Sequence, residues 1–178
     1  MAEIKLYIAI SLDGFIAREN GDIDWLESLP NPNNLDYGYG EFISGIDTVL
    51  MGRSTYEKIL SFGMDWPYQD CESYIFSRQA NYQIKTEKTQ ATNLSPESID
   101  LIKSRSQKDI WIVGGGEIIS ELLNMGEIDE IIICIIPVLI GTGIPLFPNN
   151  PKETQFDLVN TETFETGAVS LTYRRKAI

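Results

Sequence analysis

Apolar positions along this chain follow two rhythms, short β-prone runs closed by turn residues and longer stripes at helical spacing, and the two alternate through most of its length. Ile4 to Ser11, Ile-Lys-Leu-Tyr-Ile-Ala-Ile-Ser, predicts a first strand stopped by the turn pair Asp13-Gly14. From Asn20 to Asp36 the residues are dense in Gly, Asn, Pro and Asp, with Trp25 and Leu26 as apolar anchors. That stretch predicts a long surface loop, and such loops often carry function. Tyr39, Phe42, Ile43 and Ile46 recur at helical spacing and feed a second strand, Asp47 to Met51, ended by Gly52. Ser54-Thr55-Tyr56-Glu57 has the form of a capping box and predicts a short helix capped by Ser54. Tyr74-Ile75-Phe76 predicts a third strand closing at Ser77-Arg78. Ser95-Pro96-Glu97-Ser98 predicts the cap of a helix running toward Arg105, with Pro96 at the favoured first position.

Ile110 to Val113 is the next predicted strand. After the glycines, Ile118, Ile119, Leu122, Leu123 and Met125 form an apolar stripe, with Glu117, Ser120, Glu121 and Asn124 on the polar side and Gly126 as the stop. Ile131 to Ile136 is nearly unbroken in apolar residues and predicts a central strand covered on both faces. Phe156 to Phe164 and the alternating Val169 to Tyr173 predict an antiparallel hairpin across Thr166-Gly167. Strands alternating with helices, then strands alone, imply an α/β fold whose mostly parallel sheet ends in antiparallel strands. With 178 residues and 43% hydrophobic content, one core is the expectation, hence a single domain spanning 1–178.

Composition narrows the chemistry. A formal net charge of −12 opposes binding to a phosphate backbone, so nucleic acid is excluded as a partner. No apolar run reaches the roughly 18 residues of a membrane helix, and Met1 to Lys5 leads straight into a strand pattern, so no membrane partner and a cytoplasmic location are expected. The sequence contains no His, which removes Ser-His-Asp hydrolysis and His-zinc chemistry and leaves a carboxylate, a Tyr or water as proton donor. Cys71 and Cys134 lie in apolar stretches without metal-ligand spacing, so buried thiols and no metal site are expected.

Gly114-Gly115-Gly116-Glu117 follows a predicted strand and opens a predicted helix. Unhindered backbone N–H groups at the positive end of a helix dipole suit a phosphate. The bland reading is a glycine turn that only packs helix on strand. Ile119 stands where a Rossmann fingerprint has its third glycine, and no Gly-Lys-Ser/Thr follows, so neither standard nucleotide motif is present. Met51-Gly52-Arg53-Ser54-Thr55 repeats the theme with a guanidinium and two hydroxyls, and Ser77-Arg78 supplies a further hydroxyl and cation after another strand. Each alone reads more readily as a solvated turn; together at strand ends they form a candidate cofactor crevice.

Four segments carry a family resemblance: Ser11 to Ala17, Met51 to Glu57, Ile110 to Glu117, and Pro137 through Gly141-Thr142-Gly143 to Phe147. In this order they resemble the dihydrofolate reductase superfamily, and more closely its branch with the C-terminal reductase domain of the bifunctional riboflavin biosynthesis protein. The resemblance implies a three-layer fold with a sheet of about eight strands flanked by helices, NADPH as cofactor, and hydride transfer to a pterin-like or ribosylamino-pyrimidine substrate. It places Ala9 and Ile16 at the nicotinamide, Gly52, Arg53, Ser54, Thr55, Ser77 and Arg78 at phosphates including the 2′-phosphate, and Val113, Gly114, Gly115, Gly116, Glu117 and Ile118 around the pyrophosphate. It also implies a cis Gly114–Gly115 peptide and a homodimer. Within this sequence nothing matches the His-x-Glu and Pro-Cys-x-x-Cys signature of the zinc deaminase half.

On the substrate side the resemblance thins. The counted equivalent of the acid that orients the pterin in dihydrofolate reductases falls near Gly38, which has no side chain. Asp36, seven residues before Ile43 and on its helical face, is the candidate acid, against the plainer reading of an N-cap or loop aspartate. Asp13, at the mouth of the expected nicotinamide site, is a second catalytic candidate or simply a turn aspartate. Two competing readings stay open: a dihydrofolate reductase proper, which needs Asp36 to reach the ring, and a non-catalytic NADP-binding or ligand-sensing module.

Overall fold

The computed structural model, which describes residues 2–79 and 81–176, shows how the β-prone runs assemble. The strands are β1 (Ile4–Ser11), β2 (Phe15–Ala17), β3 (Ile46–Gly52), β4 (Glu72–Phe76), β5 (Thr89–Thr92), β6 (Asp109–Gly114), β7 (Glu130–Ile136), β8 (Ile144–Pro145), β9 (Phe156–Thr163) and β10 (Val169–Arg175). The helices are α1 (Tyr39–Ser44), α2 (Arg53–Ser61), α3 (Pro96–Arg105) and α4 (Gly116–Met125), with a short 3-10 helix at Asp24–Ser28. Eight strands form one sheet in the order β5-β4-β3-β6-β1-β7-β10-β9, while β2 and β8 pair separately. The pairs from β5 to β7 are parallel, and β10 is antiparallel to both β7 and β9. This is the dihydrofolate-reductase-like α/β sandwich that the resemblance implies.

Side-chain alternation along the strands decides which helix lies where. Ile4, Leu6, Leu50, Ile110 and Ile112 share one face and pack on Ile99 and Ile102 of α3 and Ile119 and Leu122 of α4. Val49, Met51, Ile75 and Trp111 point the other way, onto Tyr56 of α2 and the partly buried Phe42 and Ile43 of α1. Leu50, Ile110 and Ile112 are fully buried, each stabilising the fold by roughly 1.5–3 kcal/mol relative to exposure. A third cluster of Trp25, Cys134, Ile136 and Ala168 pins the long loop to the second face, and Trp25 is its anchor, as the sequence suggests.

Several expectations are corrected. The helix after β3 starts at Arg53 with Gly52 as N-cap and no side-chain cap, so the Ser54 capping box does not form. Gly52 is still paired to Phe76 in the sheet, so the chain passes from strand to helix with no residue left for a serine cap. Ser120 is buried on the packed side of α4, where its hydroxyl donates to the Pro148 carbonyl at 2.7 Å. The 130–136 strand is interior, between β1 and β10, but its cover is incomplete: Ile131, Cys134 and Ile136 are buried while Ile132, Ile133 and Ile135 remain partly exposed. By contrast the Ser95–Ser98 capping box, the Gly126 stop and the terminal hairpin all form.

Candidate functional site

β4, β3 and β6 are adjacent and parallel, so the turns that follow them leave the sheet at one edge. The register sets Gly52 beside Phe76 and Met51 beside Gly114. The three turns inferred from sequence, Gly52 to Thr55, Ser77-Arg78 and Gly114 to Ile118, are therefore brought to one edge, with partly buried Val113 leading into the third. Two of them touch. A Cβ on Gly52 would stand 3.1 Å from Ile118 Cγ1, and one on Gly115 would stand 3.3 Å from Thr55 Oγ1. Gly114 takes φ +138°, open to glycine and strained for other residues, and its peptide to Gly115 is cis. Gly116 lies beneath the β8 segment, where a Cβ would meet the Pro145 carbonyl and Pro148 Cδ, each at 2.7 Å.

Both helices that open here do so without a side-chain cap: α2 from Gly52 and α4 from Gly115. Their first-turn N–H groups and positive dipole ends are thus free for an anion at the same edge. Arg53 is half-buried and pairs with Glu57 one turn along α2 at 3.5 Å, while Arg78 is exposed and makes no ion pair among the described residues. Ser77 Oγ accepts from Gln79 N at 3.1 Å, which leaves the hydroxyl proton to donate. Ser54 and Glu117 are exposed on the first turns of their helices. Buried Tyr56 accepts from Lys85 N at 2.9 Å and bonds Thr86 Oγ1 at 3.0 Å, fastening the segment after Arg78 onto α2. Nothing in the motifs signals that tie; only its place on the apolar side of α2 could have.

Asp13 is exposed and fully engaged: its carboxylate accepts from Ser11 Oγ at 2.6 Å, Gly141 N at 2.8 Å and Ile140 N at 3.3 Å. The Ser11 hydroxyl, then those backbone N–H groups, hold it below the usual carboxylate range. It clamps the turn after β1 to the turn after β7. Asp36 is exposed too, and its two oxygens accept from Gly38 N at 3.0 Å and Gly40 N at 2.9 Å, which holds its pKa down as well, the Gly40 bond most. Its contacts are those of a loop aspartate at the start of α1, the plainer of the two readings. Ala9 sits in β1 opposite Cys134, and Ile16 lies in β2 and packs toward the α3–α4 core. The loop after β2 is fastened to α2 by Lys58, whose Nζ donates to Asp22 Oδ1 at 2.6 Å and to the Asn20 carbonyl at 3.3 Å.

Two concavities flank these elements: one of about 360 Å³ between α4 and the terminal hairpin, and one of about 560 Å³ between α2 and the side chains of Gln79, Asn81, Tyr82, Gln83 and Lys85. No helix among the described residues is long and apolar enough to cross a membrane.

A family profile described as the RibD C-terminal domain matches residues 2–170. The uncharacterized protein YwjB of Bacillus subtilis (strain 168) is 39% identical over 170 residues, covering 96% of each chain. A solved structure from Shewanella sp. PV-4, of a protein whose name assigns it to riboflavin biosynthesis, superposes with a TM-score of 0.87 at 34% identity, covering 99% of this chain and 100% of that one. The dihydrofolate reductase of Enterococcus faecalis, solved in complex with NADP(H) and RAB-propyl, gives a TM-score of 0.72 at 20% identity over 98% of this chain and 97% of its own. That last likeness is one of fold.

Proposed function

This chain belongs to the RibD C-terminal domain family, and from that premise we propose that it is an NADPH-dependent reductase transferring a hydride to a pterin-like or ribosylamino-pyrimidine substrate. The observation that carries the reading is the meeting of three phosphate-type turns at the ends of β4, β3 and β6, two of them opening uncapped helices. The residues present fit a dinucleotide. Glycine at 52 and 115 lets the two helix starts approach within contact. Arg53 and Arg78 add cations where a chain of net charge −12 otherwise repels anions. NADPH, when bound, supplies the hydride.

The protein's own part is orientation. Arg53, Arg78, Ser54, Thr55 and Ser77 grip the phosphate of the adenosine end, and the Gly114 to Ile118 backbone holds the pyrophosphate. The Asp13 clamp fixes the rim formed by the turns after β1 and β7, beside Ala9 and Ile16. Holding reactants in register replaces a side-chain nucleophile. Asp13 and Asp36 are both held below the usual carboxylate range, which disfavours either as a proton donor at neutral pH and leaves a tyrosine or water as the source of any proton that accompanies hydride transfer. The contacts of Asp36 favour this reading over a dihydrofolate reductase proper.

Stopped-flow oxidation of NADPH with the riboflavin-pathway ribosylamino-pyrimidine, dihydrofolate and other pterins tests the proposal. Turnover on the ribosylamino-pyrimidine or a pterin is expected. Tight NADPH binding without turnover on any of them would transfer the protein to the class of NADP-binding modules. The reading includes a homodimer, drawn from the family resemblance; elution of a 20.1 kDa species at low micromolar concentration would remove it.

A further inference from the structure

Arg53 enters the crevice already partnered. Its Nη1 lies 3.5 Å from Glu57 Oε1, across one turn of α2, with both side chains partly exposed at 40% and 48%. An exposed i,i+4 pair of this kind contributes little in general, and a freely moving carboxylate would yield to any phosphate. Glu57 is not freely moving. The same Oε1 accepts a hydrogen bond from the Tyr82 hydroxyl at 3.1 Å. Tyr82 in turn stands edge-on to buried Tyr56, with ring centroids 6.2 Å apart at 77°. The segment carrying Tyr82 is fastened to α2 by the bonds of Tyr56 to Lys85 and Thr86. A carboxylate is thus tethered from behind at the corner where Arg53 would meet a phosphate, and the tether favours its staying there when a ligand takes the guanidinium.

We propose that Glu57 is a specificity-determining residue: it competes with the cofactor's ribose phosphate for Arg53 and repels that phosphate once bound, weakening NADPH selectively. The inference rests on the NADPH reading above. Arg78, on the neighbouring turn, makes no ion pair among the described residues and so supplies the uncontested half of the phosphate grip. A cofactor without the ribose phosphate does not engage this corner and does not sense Glu57. The residue therefore acts on the difference between two nicotinamide cofactors more than on dinucleotide binding in general.

Calorimetric titration of the full chain with NADPH and with NADH, for wild type, E57Q, R53A and the R53A/E57Q double variant, tests this. E57Q is expected to tighten NADPH about two- to five-fold and to leave NADH within the error of the measurement. In the R53A background the same substitution should have lost at least half of its effect, since the guanidinium it competes for is gone. Equal tightening of both cofactors by E57Q, or the same gain with and without Arg53, overturns the proposal by making Glu57 a general repulsive charge. No change in NADPH affinity on E57Q overturns it outright. Failure of wild type to bind either cofactor overturns the dinucleotide reading itself, an outcome separate from the other two.

Discussion

Arg78 has an exposed guanidinium at the end of β4 and no acidic partner among the described residues, so its loss removes a charge-assisted contact without freeing a buried carboxylate. Arg78→Ala should weaken NADPH on the order of tenfold or more and NADH far less, as read by equilibrium titration; an unchanged preference would remove the 2′-phosphate assignment. Asp36 points to the opposite expectation. Its oxygens are taken by Gly38 and Gly40 N–H groups, so Asp36→Asn should leave kcat/KM within a few-fold of wild type in steady-state assays. A loss on the scale of a hundredfold would restore it as the substrate acid. Both aspartates show where one-dimensional reading stops. That Asp13 clasps a backbone N–H lying 128 residues away cannot be inferred from its neighbours Ser11 and Gly14. The position of Arg53 and Arg78 at strand ends was legible because its signal, a cation directly after a β-prone run, is local.

Elements with a strong period and a clean stop were readable: β1, β6, α3, α4 and the β9–β10 hairpin lie where the pattern puts them, within a residue or two at most ends. β5, Thr-Gln-Ala-Thr, offers no apolar alternation and sits at the sheet edge, while β2 and β8 are three and two residues long, too short for any period to register. They exist because the sheet and the rim supply their partners. Two variants probe the elements that frame the site. Ser95→Ala breaks the capping box of α3 and should cost about 1 kcal/mol in urea unfolding with m unchanged. Gly116→Ala drives a Cβ into the Pro145 carbonyl and the Pro148 ring, neither of which can yield cheaply, and should cost roughly 1–3 kcal/mol. Because the same residue opens α4, NADPH affinity should fall with it. A Gly116→Ala protein with wild-type stability and affinity would mean that the β8 segment does not press on the helix start.

At the scale of the whole molecule, sheet order does what no motif could announce: it sets β4, β3 and β6 side by side, so turns separated by dozens of residues share one edge. The opposite edge, where β1 and β7 begin, carries an ion network in which Lys5 meets Asp109 at 2.9 Å and Glu130 at 3.4 Å, and Arg174 meets Glu3 at 2.8 Å and Glu130 at 3.1 Å. The Arg174 hydrogen bond holds the Glu3 carboxyl below its usual range. A carboxylate with a lowered folded-state pKa stabilises the fold above its unfolded value, and that contribution fades as pH falls through the folded one. Thermal midpoints should therefore drop on acidification below the ordinary glutamate range, and Glu3→Gln should lower the midpoint at neutral pH while flattening the acid limb. An acid limb unaltered by the substitution would remove Glu3 from the network's contribution. The central claim, that the crevice holds the phosphates of a nicotinamide dinucleotide, is tested most directly by following backbone amide resonances during an NADPH titration. Saturable shifts at Gly52 to Thr55, Ser77-Arg78 and Gly114 to Ile118 with one common dissociation constant are predicted; saturating NADPH that leaves all three turns unmoved would contradict the account.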